Sequence, residues 1–165
     1  MDLEDLGKIK RLTLPDDWLE EENKNEYMEM QSFVHPSEKE VKMSFYYCGR
    51  PLSARSAENL RNVLSKPAHE LDPAERESIE VVIGDASEPE YFDLKSARTE
   101  DVKGVRVLIV EGFWKLSDVN SYAAFVDSEE DGVRIDEIYY LAPADKFASF
   151  LPVMQNALAS IEWHT

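Results

Sequence analysis

The chain has 165 residues, 43% of them hydrophobic and 10% aromatic, which suits one domain spanning residues 1–165 with a core of ordinary size. Its 34 acidic against 18 basic residues leave a net charge of −16, which repels phosphate backbones and anionic surfaces and excludes nucleic acid and membrane as expected partners. A single cysteine, Cys48, excludes an internal disulfide framework and a multi-thiolate metal site.

Residues 8–14 read as a short strand stopped by Pro15, and Trp18 is the large apolar anchor of the turn that follows. Residues 27–34 and 41–48 alternate apolar and polar positions and predict a hairpin closed through residues 35–40, with Cys48 as a buried thiol. Ala57, Leu60 and Leu64 give a narrow apolar stripe to a helix from about 53 to 66, ended by Pro67. A second helix has Asp72 as N-cap, Pro73 at its first position, Glu75 completing a capping box and Gly84 as its stop. A polar loop over 86–90 leads to a strand over 91–98, and three further β-type runs cover 105–114, 121–126 and 133–141. After Pro143 the period changes. Phe147, Phe150, Leu151, Met154, Leu158 and Ile161 recur at helical spacing, with Pro152 expected to kink or restart the helix.

The order of elements is three strands, two helices, four strands and a final helix, which predicts an α+β fold: an antiparallel β-sheet flanked by helices, with the C-terminal helix packed on the sheet. The opening ten residues lack a charged start leading into an apolar run, and no segment approaches the roughly 20 apolar residues of a membrane span, so cytoplasmic residence is expected.

Two acids stand out on otherwise apolar strand faces. Glu111 shares parity with Val105, Val107, Ile109 and Phe113, and Glu137 with Val133, Ile135, Tyr139 and Leu141. Facing one dry pocket between sheet and helix, such a pair would split its pKa values and serve as acid and base, or hold a cation. The competing reading returns each acid to solvent through a β-bulge, for which Gly112 offers a site. His35, His69 and His164 lack ligand spacing, so no metal is expected, and no nucleophile elbow or phosphate-binding glycine loop points to catalysis or a cofactor. The acidic runs 20–22 and 129–131 read as solvated turns or as docking points for a basic partner. Arg50, Arg55, Arg61 and Lys66 form a local basic excess.

Tyr46, Trp114, Tyr122, Phe125 and Tyr140 fall on strand faces opposite some of the apparent core positions. An open face would make Trp114, Tyr122, Phe125 and Tyr140 the partner-contacting residues, because aromatics dominate protein interfaces. The alternative has both faces covered, one by the last helix and one by the middle pair.

Four segments carry a resemblance: Leu12-Thr13-Leu14-Pro15-Asp16-Asp17-Trp18, the Gly104 to Trp114 strand, Tyr139-Tyr140-Leu141-Ala142-Pro143, and Phe147 through Ser160-Ile161-Glu162-Trp163. With them the chain resembles the Mog1/PsbP-like group, which includes DcrB-like and DUF1795-type bacterial proteins. The resemblance implies an antiparallel sheet flanked by helices and an accessory role, as in a Ran-binding transport factor, a photosystem extrinsic subunit or chaperones of secreted effectors. It implies a non-catalytic binding protein; with no export signal read in the sequence, the expectation is a cytoplasmic bacterial adaptor that binds another protein or a peptide, as a monomer or weak homodimer. The alternative is a small-molecule or enzymatic pocket organised by Glu111 and Glu137.

Overall fold

The acidic opening of the chain conceals a strand. In the computed structural model, which describes residues 1–22, 30–80, 91–128 and 134–165, β1 (Asp2–Leu6) pairs antiparallel with β2 (Ile9–Thr13). Leu3 and Leu6 are both buried although they lie three apart, because Asp5 has φ 57° and breaks the alternation of a regular strand. β10 (Glu162–Trp163) adds to the other side of β2 and completes a three-stranded sheet.

The larger sheet has seven strands, all antiparallel, in the order β3-β4-β5-β9-β8-β7-β6. These are β3 (Leu19–Glu21), β4 (Met30–Val34), β5 (Lys42–Pro51), β6 (Phe92–Val102), β7 (Val105–Trp114), β8 (Val119–Asp127) and β9 (Arg134–Ala142). The expected β4–β5 hairpin and the three strong C-terminal strands are present, while β3 and β10 are short additions. The expectations for residues 27–29, 81–90, 129–131 and Val133, Gly84 among them, lie outside the described residues, as does the Cys48 side chain.

α1 (Ala54–Leu64) starts at Ser53, whose hydroxyl accepts from the Ser56 amide. α2 (Pro73–Ile79) carries the predicted capping box, with Asp72 accepting from the Glu75 amide and the Glu75 carboxylate accepting from the Asp72 amide. α3 (Ala144–Ala159) passes through Pro152 as one helix, so the expected restart does not occur. It stops at Ser160, and Ile161 is buried between the helix and β10 rather than in a last helical turn.

The helices divide between the two faces of the large sheet. One face packs against α3 and the small sheet around Met43, Phe45, Ile109, Tyr122, Ile138 and Tyr140. The other packs against α1, Leu71 and α2 around Ala97, Leu108, Val110, Ala123, Phe125 and Ile135. Of the two readings, an open face or both faces covered, the second is the one observed. The middle strands bear its signature, since Val107–Val110 and residues 121–126 are buried continuously instead of alternately.

Candidate functional site

The cross-strand register fixes where each predicted site residue points. Glu111 pairs with Tyr122, which pairs with Tyr140, so these three share the α3 face. Glu137 pairs with Phe125, which pairs with Leu108, so Glu137 faces α1 and α2. The two acids therefore stand on opposite faces of the sheet, and a joint pocket organised by Glu111 and Glu137 is excluded.

Neither acid escapes through a bulge at Gly112. The irregularity falls on the partner strand between Leu94 and Ser96, and Gly112 serves another purpose, because the Phe92 ring lies 2.2 Å from where a Cβ would stand. Each carboxylate instead meets an arginine. Glu137, buried, accepts from Arg50 Nη2 at 2.9 Å and from the Tyr139 hydroxyl at 3.4 Å. Tyr46 packs edge-on against Tyr139 with centroids 5.7 Å apart, and burial followed by the Glu137 charge raises the Tyr46 pKa.

The aromatic contact residues also require correction. Phe125 and Tyr140 are fully buried and Tyr122 is 3% exposed. All three are core, because β8 and β9 lie inside the sheet and both of its faces are covered. Tyr140 also donates its hydroxyl to the Phe147 carbonyl at 2.7 Å, joining β9 to α3. Trp114 alone keeps partial exposure, at the end of β7, with its ring 4.5 Å from that of Phe92.

A polar groove of about 480 Å³ lies beside α3, between Arg98, Glu100, Asp101 and Tyr122 on the sheet and Gln155, Leu158 and Ala159 on the helix. A smaller cleft of about 180 Å³ lies between Lys95, Ser96, Glu111 and Asn120 on the sheet and Phe147 on α3. Arg98 lines the groove and reaches Ser96 and Glu111 of the cleft. Its guanidinium donates to Glu100 at 2.7 Å, to Glu111 at 2.8 Å and to the Tyr122 hydroxyl at 3.3 Å, and it stacks 5.5 Å from the Tyr122 centroid. Burial opposes the Arg98 charge, but the hydrogen bonds it donates to Glu100 and Glu111 outweigh it, and the net shift is upward. Burial, then the Glu100 charge, raises the Tyr122 hydroxyl. The floor is thus a preset cluster in which one guanidinium serves two carboxylates.

Arg98→Met keeps the apolar stem and strands two carboxylates. We expect a loss of about 1–2 kcal/mol in chemical denaturation, below the 3–5 kcal/mol typical of a fully buried pair because these side chains are about a quarter to two-fifths exposed.

The sequence reading missed Arg98. It ended the strand there, although Arg98 and Glu100 two residues apart share a strand face with Glu111, a pattern that announces an ion cluster. The basic excess is partly consumed by structure, since Arg50 pairs with Glu137 and Lys66 with Glu75. In the run 20–22, Glu21 pairs with Lys42 at 3.1 Å. No cluster of three or more His, Cys, Asp or Glu among the described residues has the geometry of a metal site, and no described helix is long and apolar enough to cross a membrane.

No protein-family model matches the sequence, and no curated protein matches it. Among solved structures, the chain is similar to cyanobacterial PsbP (CyanoP) from Synechocystis sp. PCC 6803, with a TM-score of 0.62 at 9% identity, over 99% of this chain and 92% of that one. At that identity the likeness establishes the fold. The chain has the Mog1/PsbP-like fold that its sequence resembles.

Proposed function

We propose that this Mog1/PsbP-like chain is a non-catalytic, cytoplasmic protein-binding or adaptor domain that receives a segment of a partner in the groove beside α3. The groove carries this reading. With both faces of the large sheet covered, recognition moves from the sheet face to its margin, where the groove sets the exposed Gln155 and Ala159 of α3 beside a polar floor at Arg98, Glu100 and Tyr122. That floor is held by its own ion pairs and needs no reorganisation when a partner docks, which lowers the cost of association. The net charge of −16 favours a basic partner, steered in by long-range attraction.

Arginine at the exposed Ala159 fills the groove from the helix side without touching the core. Ala159→Arg is expected to weaken partner binding tenfold or more, about 1.4 kcal/mol, with an unchanged unfolding midpoint. Affinity unaltered by a folded Ala159→Arg protein would remove the groove from the account.

A further inference from the structure

The connection between α1 and α2 is strapped to the edge of the large sheet, and one histidine sits at the buckle. The Thr99 amide donates to the His69 carbonyl at 2.9 Å, and the Leu71 amide to the Ala97 carbonyl at 3.0 Å. These bonds extend β6 outward by a short antiparallel segment around the Glu70–Arg98 bridge. Leu71 is buried with Leu60, Val63 and Ile79, so the strap forms part of the layer that covers the second sheet face.

The His69 ring is held between acceptors. Nδ1 lies 2.8 Å from the Pro67 carbonyl oxygen, and Nε2 lies 2.9 and 3.1 Å from the two oxygens of Glu75. A carbonyl cannot donate and an ionised carboxylate cannot donate, so both ring nitrogens must carry protons for both contacts to be hydrogen bonds. A neutral imidazole protonated on Nε2 keeps the Glu75 bond but turns its Nδ1 lone pair toward the Pro67 carbonyl, with only the longer 3.4 Å contact to the Thr99 hydroxyl able to donate to it. Glu75 is at the same time the capping-box residue of α2, so the ring ties the strap to the start of that helix.

We propose that His69 is a proton-operated latch that, when doubly protonated, clips the α1–α2 connection to α2 and the sheet edge, and that releases this clip as pH rises.

The charged surroundings favour the proton on balance. Glu75 on α2 favours the proton. Lys66, at the end of the first helix, opposes it with its ammonium 3.2 Å from the same carboxylate, and β6 presents the neutral Thr99 hydroxyl at 3.4 Å. The hydrogen bond to Glu75, then that to Pro67, places the His69 pKa above its ordinary 6.5. Burial raises the Glu75 carboxyl, but the bonds from His69, the Asp72 amide and Lys66 prevail and hold it at about 2 against an ordinary 4.5. A raised histidine contributes stability below 6.5 and loses it as pH climbs through the folded value. A depressed carboxylate contributes above 4.5 and loses it as pH falls toward 2. The latch is therefore fully closed between those two ordinary values and opens on the alkaline side.

Nitrogen-detected NMR of the histidine rings in the full chain tests this. We expect two protonated nitrogens on His69 at about pH 5.5, a titration midpoint above the ordinary histidine value, and a fall toward that value in Glu75→Gln, which leaves the Pro67 contact in place. The unfolding midpoints of wild type and His69→Gln should differ most at about pH 5.5 and converge toward about pH 9. A midpoint at or below the ordinary value would overturn the latch, and so would a stability difference that does not change with pH. The strap bonds to β6 on either side of Arg98, which lines the groove, but the two tests read different quantities, ring protonation here and partner affinity there, so either result leaves the groove reading to its own test.

Discussion

Phe125→Ala is expected to destabilise the protein by about 3–5 kcal/mol, the largest effect of any single truncation considered for this chain. Phe125 is fully buried, packs edge-on against Tyr139 with centroids 6.0 Å apart, and lies among Leu60, Val63, Leu108 and Ile135 where α1 covers the sheet. Removing the ring leaves a cavity bounded by β-strand backbone on one side and a helix on the other, and neither collapses easily. Phe125→Leu should cost about 1–1.5 kcal/mol, since a branched aliphatic side chain refills most of the volume. Leu116→Ala, at a residue 79% exposed, should stay within about 0.5 kcal/mol. Urea denaturation of the three variants checks the order. A loss below about 1 kcal/mol in Phe125→Ala would mean that α1 and α2 do not form a packed layer on the sheet, and would reopen that face as an aromatic contact surface.

Asp136→Ala carries the second large effect, at a residue that takes no part in the groove. The Asp136 carboxylate is buried, accepting from the Lys8 amide on Oδ2 and from the Gly49 amide on Oδ1, both at 3.1 Å. It thus staples the β1–β2 turn of the small sheet to the irregular part of β5. Losing it strands two backbone donors, and we expect about 2–4 kcal/mol. Asp136→Asn should cost nearly as much despite its matching shape, because an amide offers one acceptor oxygen where two amides need one each. Gly7→Ala approaches the same site from the other side. Gly7 has φ +59°, and an added Cβ would stand 2.4 Å from Asp136 Oδ2. Since both substitutions disturb one contact, the double variant should lose less stability than the sum of the two, a non-additivity that thermal unfolding can measure. Equal stability of Asp136→Asn and wild type would show that the second acceptor oxygen is dispensable.

The elements with a strong local cause were legible in the sequence. The α2 start was written in Asp72, Pro73 and Glu75, the C-terminal strands in their β-branched and aromatic residues, and α3 in the spacing from Phe147 to Leu158. What failed to show was relative placement. Parity correctly put Glu111 and Glu137 on the faces of Ile109 and Ile135, but only the pairings through β8 reveal that those faces are opposite, and β8 is buried on both sides, so its own pattern gives no direction. The same double burial turned Tyr122, Phe125 and Tyr140 from candidate contacts into core. β1 escaped notice because Asp5 interrupts its alternation, and β10 because two residues carry no period at all. Arg98 and Asp136 became visible only through partners 13 and 128 residues away, at Glu111 and Lys8.

The groove is best tested by site-specific photo-crosslinking in the cells that make the protein. A benzophenone side chain at Gln155 or Ala159 lines the groove, and one at Arg55 or Glu58 sits on the exposed side of α1, on the other face of the molecule. We predict a discrete protein adduct from the two groove positions, absent from the α1 positions and lost from Gln155 when Ala159→Arg is introduced. Adducts from α1 alone, or from none of the four positions, would contradict a protein-binding role for the α3 groove.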